Sequence, residues 1–123
     1  MRRSREAEGA DGLAAVRRAI EHRVTPALRA VAVQVELPVV WTRFVYDGAP
    51  SAVEQDLAEA AGVQVGVELA GRWLSQVLLR QAAPDAPLVL ERGEVWAYVR
   101  PDARAQTRGQ DEGRVASPPA TDA

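Results

Sequence analysis

Apolar and polar positions repeat along this chain with two different periods, and the changes of period divide it into elements. In LAAVRRAIEHRV, Leu13, Val16, Ile20 and Val24 recur at helical spacing with Arg17, Arg18 and Glu21 on other faces, so a first helix is predicted to begin near Asp11 or Gly12. Thr25-Pro26 ends it, because proline disfavours the α conformation in the residue before it and has no N–H for the next backbone bond. Val31, Val33, Val35 and Leu37 then alternate with Ala32, Gln34 and Glu36, the period of a strand covered on one face. After Leu37-Pro38 the run VVWTRFVY is β-branched and aromatic, so Val31 to Tyr46 reads as an antiparallel hairpin, although its tip carries no Asn-Gly signal.

Asp47-Gly48 supplies the next turn, and Ser51 with Glu54 fits a capping box, in which hydroxyl and carboxylate each satisfy a backbone N–H left open at a helix start. The helix behind it has Val53, Leu57, Ala61, Val65 and Leu69 on one ridge and Gln55, Asp56 and Glu59 opposite. VQVGVEL, residues 63–69, also alternates with period two, and Gly62 and Gly66 weaken a helix there; helix is preferred because the ridge runs through the whole segment. Gly71 reads as the stop, RWLSQVLLRQ as a third strand and EVWAYVR as a fourth, with AAPDAPLVLERG between them. The order αββαββ predicts an α+β two-layer sandwich: a four-stranded antiparallel sheet with two helices on one face and the other face partly wet. Residues 1–11 read as a disordered arm, 12–101 as the single domain and 102–123 as a disordered tail rich in small, polar, Gly and Pro residues.

Composition removes whole classes of chemistry. The chain has no cysteine, which excludes disulfides, thiolate metal sites and cysteine nucleophiles. All 15 basic residues are arginine, which excludes lysine Schiff-base chemistry. His22 is the single histidine, with no second one for a metal site, and neither G-x-G-x-x-G nor a P-loop occurs. No catalytic residue, metal or cofactor is therefore assigned. A net charge of −2 argues against a protein that grips a phosphate backbone. The absence of a long apolar run argues against a membrane span, and MRRSR followed by EAEGADG lacks a signal peptide's apolar segment, so a cytoplasmic protein is expected.

Two groups of residues are left as candidates. Trp41, Trp73, Trp96, Phe44, Tyr46 and Tyr98 fall on predicted strands, where aromatics ordinarily pack; Trp41 and Trp96 are retained as interface anchors. Between Phe44 and Gly71 lie Asp47, Glu54, Asp56, Glu59 and Glu68 without one arginine. Helix dipoles and solubility favour such acids, and the same acids suit a basic partner such as a nucleic-acid-cleaving enzyme.

The segments RRAIEHRVTPALRAVAVQV, TRFVYDGAPSAVEQDLAEAAG and PDAPLVLERGEVWAYVR, together covering about Leu13 to Arg100, resemble a family of small bacterial immunity proteins of contact-dependent growth inhibition systems. The features that carry the likeness are Thr25 to Val31, Phe44 to Gly48, Ser51 to Glu54, and Pro87 to Arg100, in that order. The resemblance implies a non-enzymatic cytoplasmic inhibitor of a cognate toxin C-terminal domain, with Asp47, Glu54, Asp56 and Glu59 at the toxin-binding surface. The chain departs from the family's pattern in its acid-free, arginine-bearing third strand and in the Gly- and Val-rich end of its second helix. The alternative reading is a homo-oligomeric scaffold that pairs through a sheet edge or an exposed aromatic face. A third is a small-molecule enzyme or sensor.

Overall fold

The computed structural model describes residues 5–69 and 73–103. Helix α1 (Arg5–Ile20) leads into a hairpin of β1 (Leu28–Glu36) and β2 (Val39–Asp47); α2 (Ala52–Glu68), β3 (Leu74–Ala82) and β4 (Val95–Val99) follow. Helix α1 starts at Arg5, well before its apolar stripe, so residues 5–11 are helical rather than a loose arm. Ala7, Glu8 and Ala10 are good helix formers and extend the helix upstream. Residues 1–4, the Gly71 stop and residues 104–123 of the proposed tail lie outside the described residues. The tail's first residues are ordered: Pro101 to Ala103 form a 3₁₀ turn, and Ala103 is buried.

The sheet order is β3-β2-β1-β4. Strand β1 is antiparallel to both β2 and β4, but β2 and β3 are parallel. The fold is α+β, and its sheet is mixed rather than antiparallel. The physical reason is the length of α2: a 17-residue helix carries the chain about 25 Å back along the sheet, so β3 sets out in the same direction as β2. Two-residue tip Leu37-Pro38, with a cis peptide, joins β1 to β2 at the Glu36↔Val39 pair.

Both helices pack on one face. Val16, Ala19 and Ile20 of α1 and Ala58, Ala61 and Val65 of α2 close over Val31, Val33, Val40, Phe44 and Tyr46. Residues 63–68 are helical, and the glycines of this segment have a packing reason. A Cβ on Gly62 would stand 2.5 Å from Val77 Cγ2, and the Gly62 carbonyl accepts from Ser75 Oγ at 2.7 Å, so α2 lies directly against β3. The ridge is rotated from the sequence reading, with Ala58 and Gly62 buried while Val53 faces solvent.

The other face stays wet along β3, where Leu74, Gln76 and Arg80, in register with Val39, Trp41 and Val45, are exposed, but its centre is covered. Residues 83–94 run from the end of β3 to the start of β4, at opposite edges and opposite ends of the sheet, and cross this face as a strap. Leu88 packs with Ala30, Val45, Trp96 and Ala103 beneath it. Strand β1 is therefore buried on both faces from Leu28 to Val33, not alternately as its sequence suggests.

Candidate functional site

The candidate surface is built where β2 turns into α2. Gly48, at φ 71°, takes the left-handed position of the turn, and Ser51, extended at φ −72° and ψ 169°, caps the helix. Ser51 Oγ accepts from the Glu54 N–H at 3.1 Å, and the Ser51 N–H donates to Glu54 Oε1 at 2.9 Å, completing the capping box. Thr25 Oγ1 donates to the other Glu54 oxygen at 2.6 Å. The Thr25 hydroxyl first, then the Ser51 N–H, hold the Glu54 carboxyl below its usual range. Glu54 is thus committed to the helix start and to the loop after α1.

Asp47 is committed as well. Its Oδ2 accepts from Arg100 Nη1 at 2.9 Å, and its Oδ1 lies 3.4 Å from Nε of the fully buried Arg29. Arg29 also donates to the carbonyls of Ala83 and Ala86, and Arg100 to that of Pro26, so Asp47 ties β2 to the strap and to the loop before β1. The pairing of Arg100 with Asp102 and Asp47 raises its already high pKa. Glu68, at the far end of α2, pairs with Arg18 of α1.

Of the acids assigned to this surface, Asp56 and Glu59 are left: both are solvent-exposed on α2, and neither forms an ion pair among the described residues. Beside them stand three exposed valines, Val53, Val63 and Val67, at 66%, 67% and 74%; the sequence places Val53 on the buried ridge and assigns Val63 and Val67 to no surface. For Val63 and Val67 the signal was present in the helical phase, since neither shares the positions of Ala58, Ala61 and Val65 that face the sheet; Val53 falls off that face because the buried stripe is centred on Ala58, Ala61 and Val65. The outer face of α2 therefore carries both apolar and unpaired acidic side chains.

The tryptophans do not join this face. Trp41 pairs in register with Gln34 and Gln76 and, two residues before Arg43, points to the strap side of the sheet, where it is half-buried. Trp96 packs into the small core under the strap, with its indole N–H buried and unpartnered among the described residues. The sheet separates both from Asp56 and Glu59.

The strap also hides the most heavily charged interior site, which sequence reasoning missed. Arg43 donates from Nε and Nη2 to the two Glu94 oxygens at 2.9 and 2.6 Å, and from Nη2 to the Val89 carbonyl at 3.0 Å. The Glu91 N–H donates to Glu94 Oε1 at 2.7 Å. Burial pushes the Glu94 carboxyl up, but the hydrogen bonds from Arg43 and Glu91 and the charge of Arg43 outweigh it and leave the group below its usual value. The hydrogen bond to Glu94, against the opposing effect of burial, raises the Arg43 guanidinium.

His22 lines an open groove of about 420 Å³ with Arg18, Glu21, Arg23, Leu57 and Gln64, in which Arg23 is bonded to Gln64 at 2.8 Å. Among the described residues no three of His, Asp and Glu converge on a metal position, and no helix is long and apolar enough to cross a membrane. No family model matches the chain, and no curated protein matches it.

Proposed function

We propose that this protein is a non-catalytic binding module, and specifically a cytoplasmic immunity protein that neutralises a basic toxin domain, with the outer face of α2 as its contact surface. The observation that carries the reading is that Asp56 and Glu59 stand exposed and without an ion pair among the described residues, on a helix that has no basic residue, whereas Asp47, Glu54 and Glu68 are each satisfied internally. The resemblance to immunity proteins supplies the kind of partner. Co-expression with the C-terminal domain of a large secreted protein encoded by an adjacent reading frame tests it. Growth rescue and co-purification are the expected outcome, and persistent toxicity without a complex defeats the reading for that pair. Arg substitutions at Asp56 and Glu59 should slow association and flatten its dependence on salt.

One observation favours a second reading. Strand β3 is a nine-residue sheet edge without proline, bulge or inward charge, and Leu74 on it is exposed. Edge-to-edge pairing of two copies would give a homodimer, which sedimentation analysis of the chain alone distinguishes.

A further inference from the structure

We infer that the α2 surface takes an α-helix, and that the helix it takes is basic and amphipathic. This rests on the reading of α2 as the contact surface and specifies what occupies it. Val53, Asp56, Ala60, Val63 and Val67 are all exposed on α2 and follow one another at intervals of three, four, three and four residues. That spacing draws one nearly straight stripe along a helix and is the spacing of a coiled-coil seam. The stripe runs roughly 20 Å, the length over which two packed helices keep contact before they diverge. Ala60, at its middle, presents only a methyl group, so a second helix axis can come close there, with the valines on either side filling the space around it.

The charges select the occupant. Asp56 interrupts the apolar stripe and Glu59 flanks it, with no cation on α2 to neutralise either. A second copy laid antiparallel along the same stripe would set Val53 against Val67 but would bring four unpaired carboxylates together along one seam, which is unfavourable. A helix with leucine- or isoleucine-like residues on one stripe and arginine or lysine beside it meets the valines and both acids at once. The buried core face of α2 against β3 and the capping box at Ser51 fix this surface in place, so it is rigid before binding.

The test uses the full chain labelled with ¹⁵N and two synthetic helical peptides of about 18 residues, long enough to run from Val53 to Val67. Both carry leucines at alternating three- and four-residue spacing; the flanking positions are arginine and lysine in one, glutamate in the other. The expected result is that the basic peptide shifts the amide signals of the outer α2 positions and binds at least about tenfold more tightly than the acidic one. Val63→Glu and Val67→Glu, solvent-facing changes whose melting temperatures should match the parent, are expected to abolish the shifts. Equal affinity for the two peptides, binding of neither, shifts confined to β3 or the strap, or indifference to both substitutions would overturn the inference. So would self-association of the chain that Val67→Glu converts to monomer, since the occupant would then be a second copy. A toxin domain bound equally well by the Val63→Glu variant would remove the helix seam and leave the immunity reading standing. Selective binding of the basic peptide without rescue from the adjacent toxin would do the reverse.

Discussion

Glu94→Gln is the substitution that asks most of the strap. The change keeps the volume of the side chain and removes its charge, so it tests the ion pair with little contribution from a cavity. In the native chain the Arg43 and Glu94 side chains are exposed by only 9% and 5%, and the carboxylate receives three N–H groups at 2.6 to 2.9 Å. After substitution the guanidinium stays buried with the Val89 carbonyl and an amide that offers one acceptor oxygen where there were two. Removing one partner from a buried pair costs about 3–5 kcal/mol, whereas an exposed pair such as Arg18–Glu68 contributes about 0–1 kcal/mol. For a domain of this size the loss lowers the melting temperature by about 12 to 40 °C, at about 4–8 °C per kcal/mol. Urea unfolding followed by tryptophan fluorescence measures it, with Glu68→Gln as the exposed control. Replacing both partners, Arg43→Met with Glu94→Leu, should recover most of the stability, because the desolvation of both charges is then avoided. The pair also gives a pH signature. The folded Glu94 carboxyl lies below its unfolded value, so its contribution is present above the unfolded pKa and is lost as pH falls through the folded one. Glu94→Gln should remove that part of the acid slope. A cost below about 1 kcal/mol, well short of the range for buried pairs, or a double variant as unstable as the sum of the singles, would refute a closed strap over a buried pair.

Two smaller changes and one titration probe other parts of the framework. Gly62→Ala should destabilise the fold by about 1–3 kcal/mol in chemical denaturation although alanine is the better helix former, because its methyl would displace Val77; the same change combined with Val77→Ala should recover part of the loss. Ser51→Ala should cost about 0.5–2 kcal/mol by calorimetry through loss of the cap. The Tyr46 phenol is pushed up to about 12, chiefly by burial and then by Glu54, so a spectrophotometric titration of the native chain should show it ionising only near that pH, and a normal titration at pH ~10 would mean that the ring is not packed as described.

What could be read from the sequence is what depends on local spacing. The capping box at Ser51 and Glu54, the pairing of β1 and β2 as a hairpin and the helical character of α2 follow from residues within one turn or one hairpin of each other, whereas the length of the hairpin tip does not. Strand direction does not, because the parallel alignment of β3 with β2 depends on where a 17-residue helix delivers the chain rather than on any residue in β3. The strap was equally hidden. Residues 83–94 read as a loop, and the signs that they cover a face were Arg29 and Arg43, charged residues placed where a strand would otherwise present apolar side chains. An arginine in such a position reads as solvent-facing unless its partner is known, and the strap partners here lie 46 or more residues away in sequence. The acids failed for the same reason: Asp47 looks as available as Asp56 until Arg29 and Arg100 are seen beside it.

That sorting of the acids decides how the α2 surface can bind. With Asp47, Glu54 and Glu68 occupied, the field above α2 comes from two carboxylates, and at physiological ionic strength it decays over about 8 Å. Each exposed ion pair such a surface forms contributes roughly 0.2–1 kcal/mol. The three valines still have about two-thirds or more of their surface to bury, and at roughly 1.5 kcal/mol for fully burying one such side chain they offer about 3 kcal/mol together. The apolar stripe therefore outweighs the acids in affinity, and the acids act on the encounter rate and on which partners are rejected. Substitutions at Asp56 and Glu59 should accordingly appear in the association rate and its salt dependence, and substitutions at Val63 and Val67 in the dissociation rate. The opposite assignment, with salt-sensitive dissociation and valine-insensitive affinity, would mean that the contact is electrostatic and that the valines lie outside it.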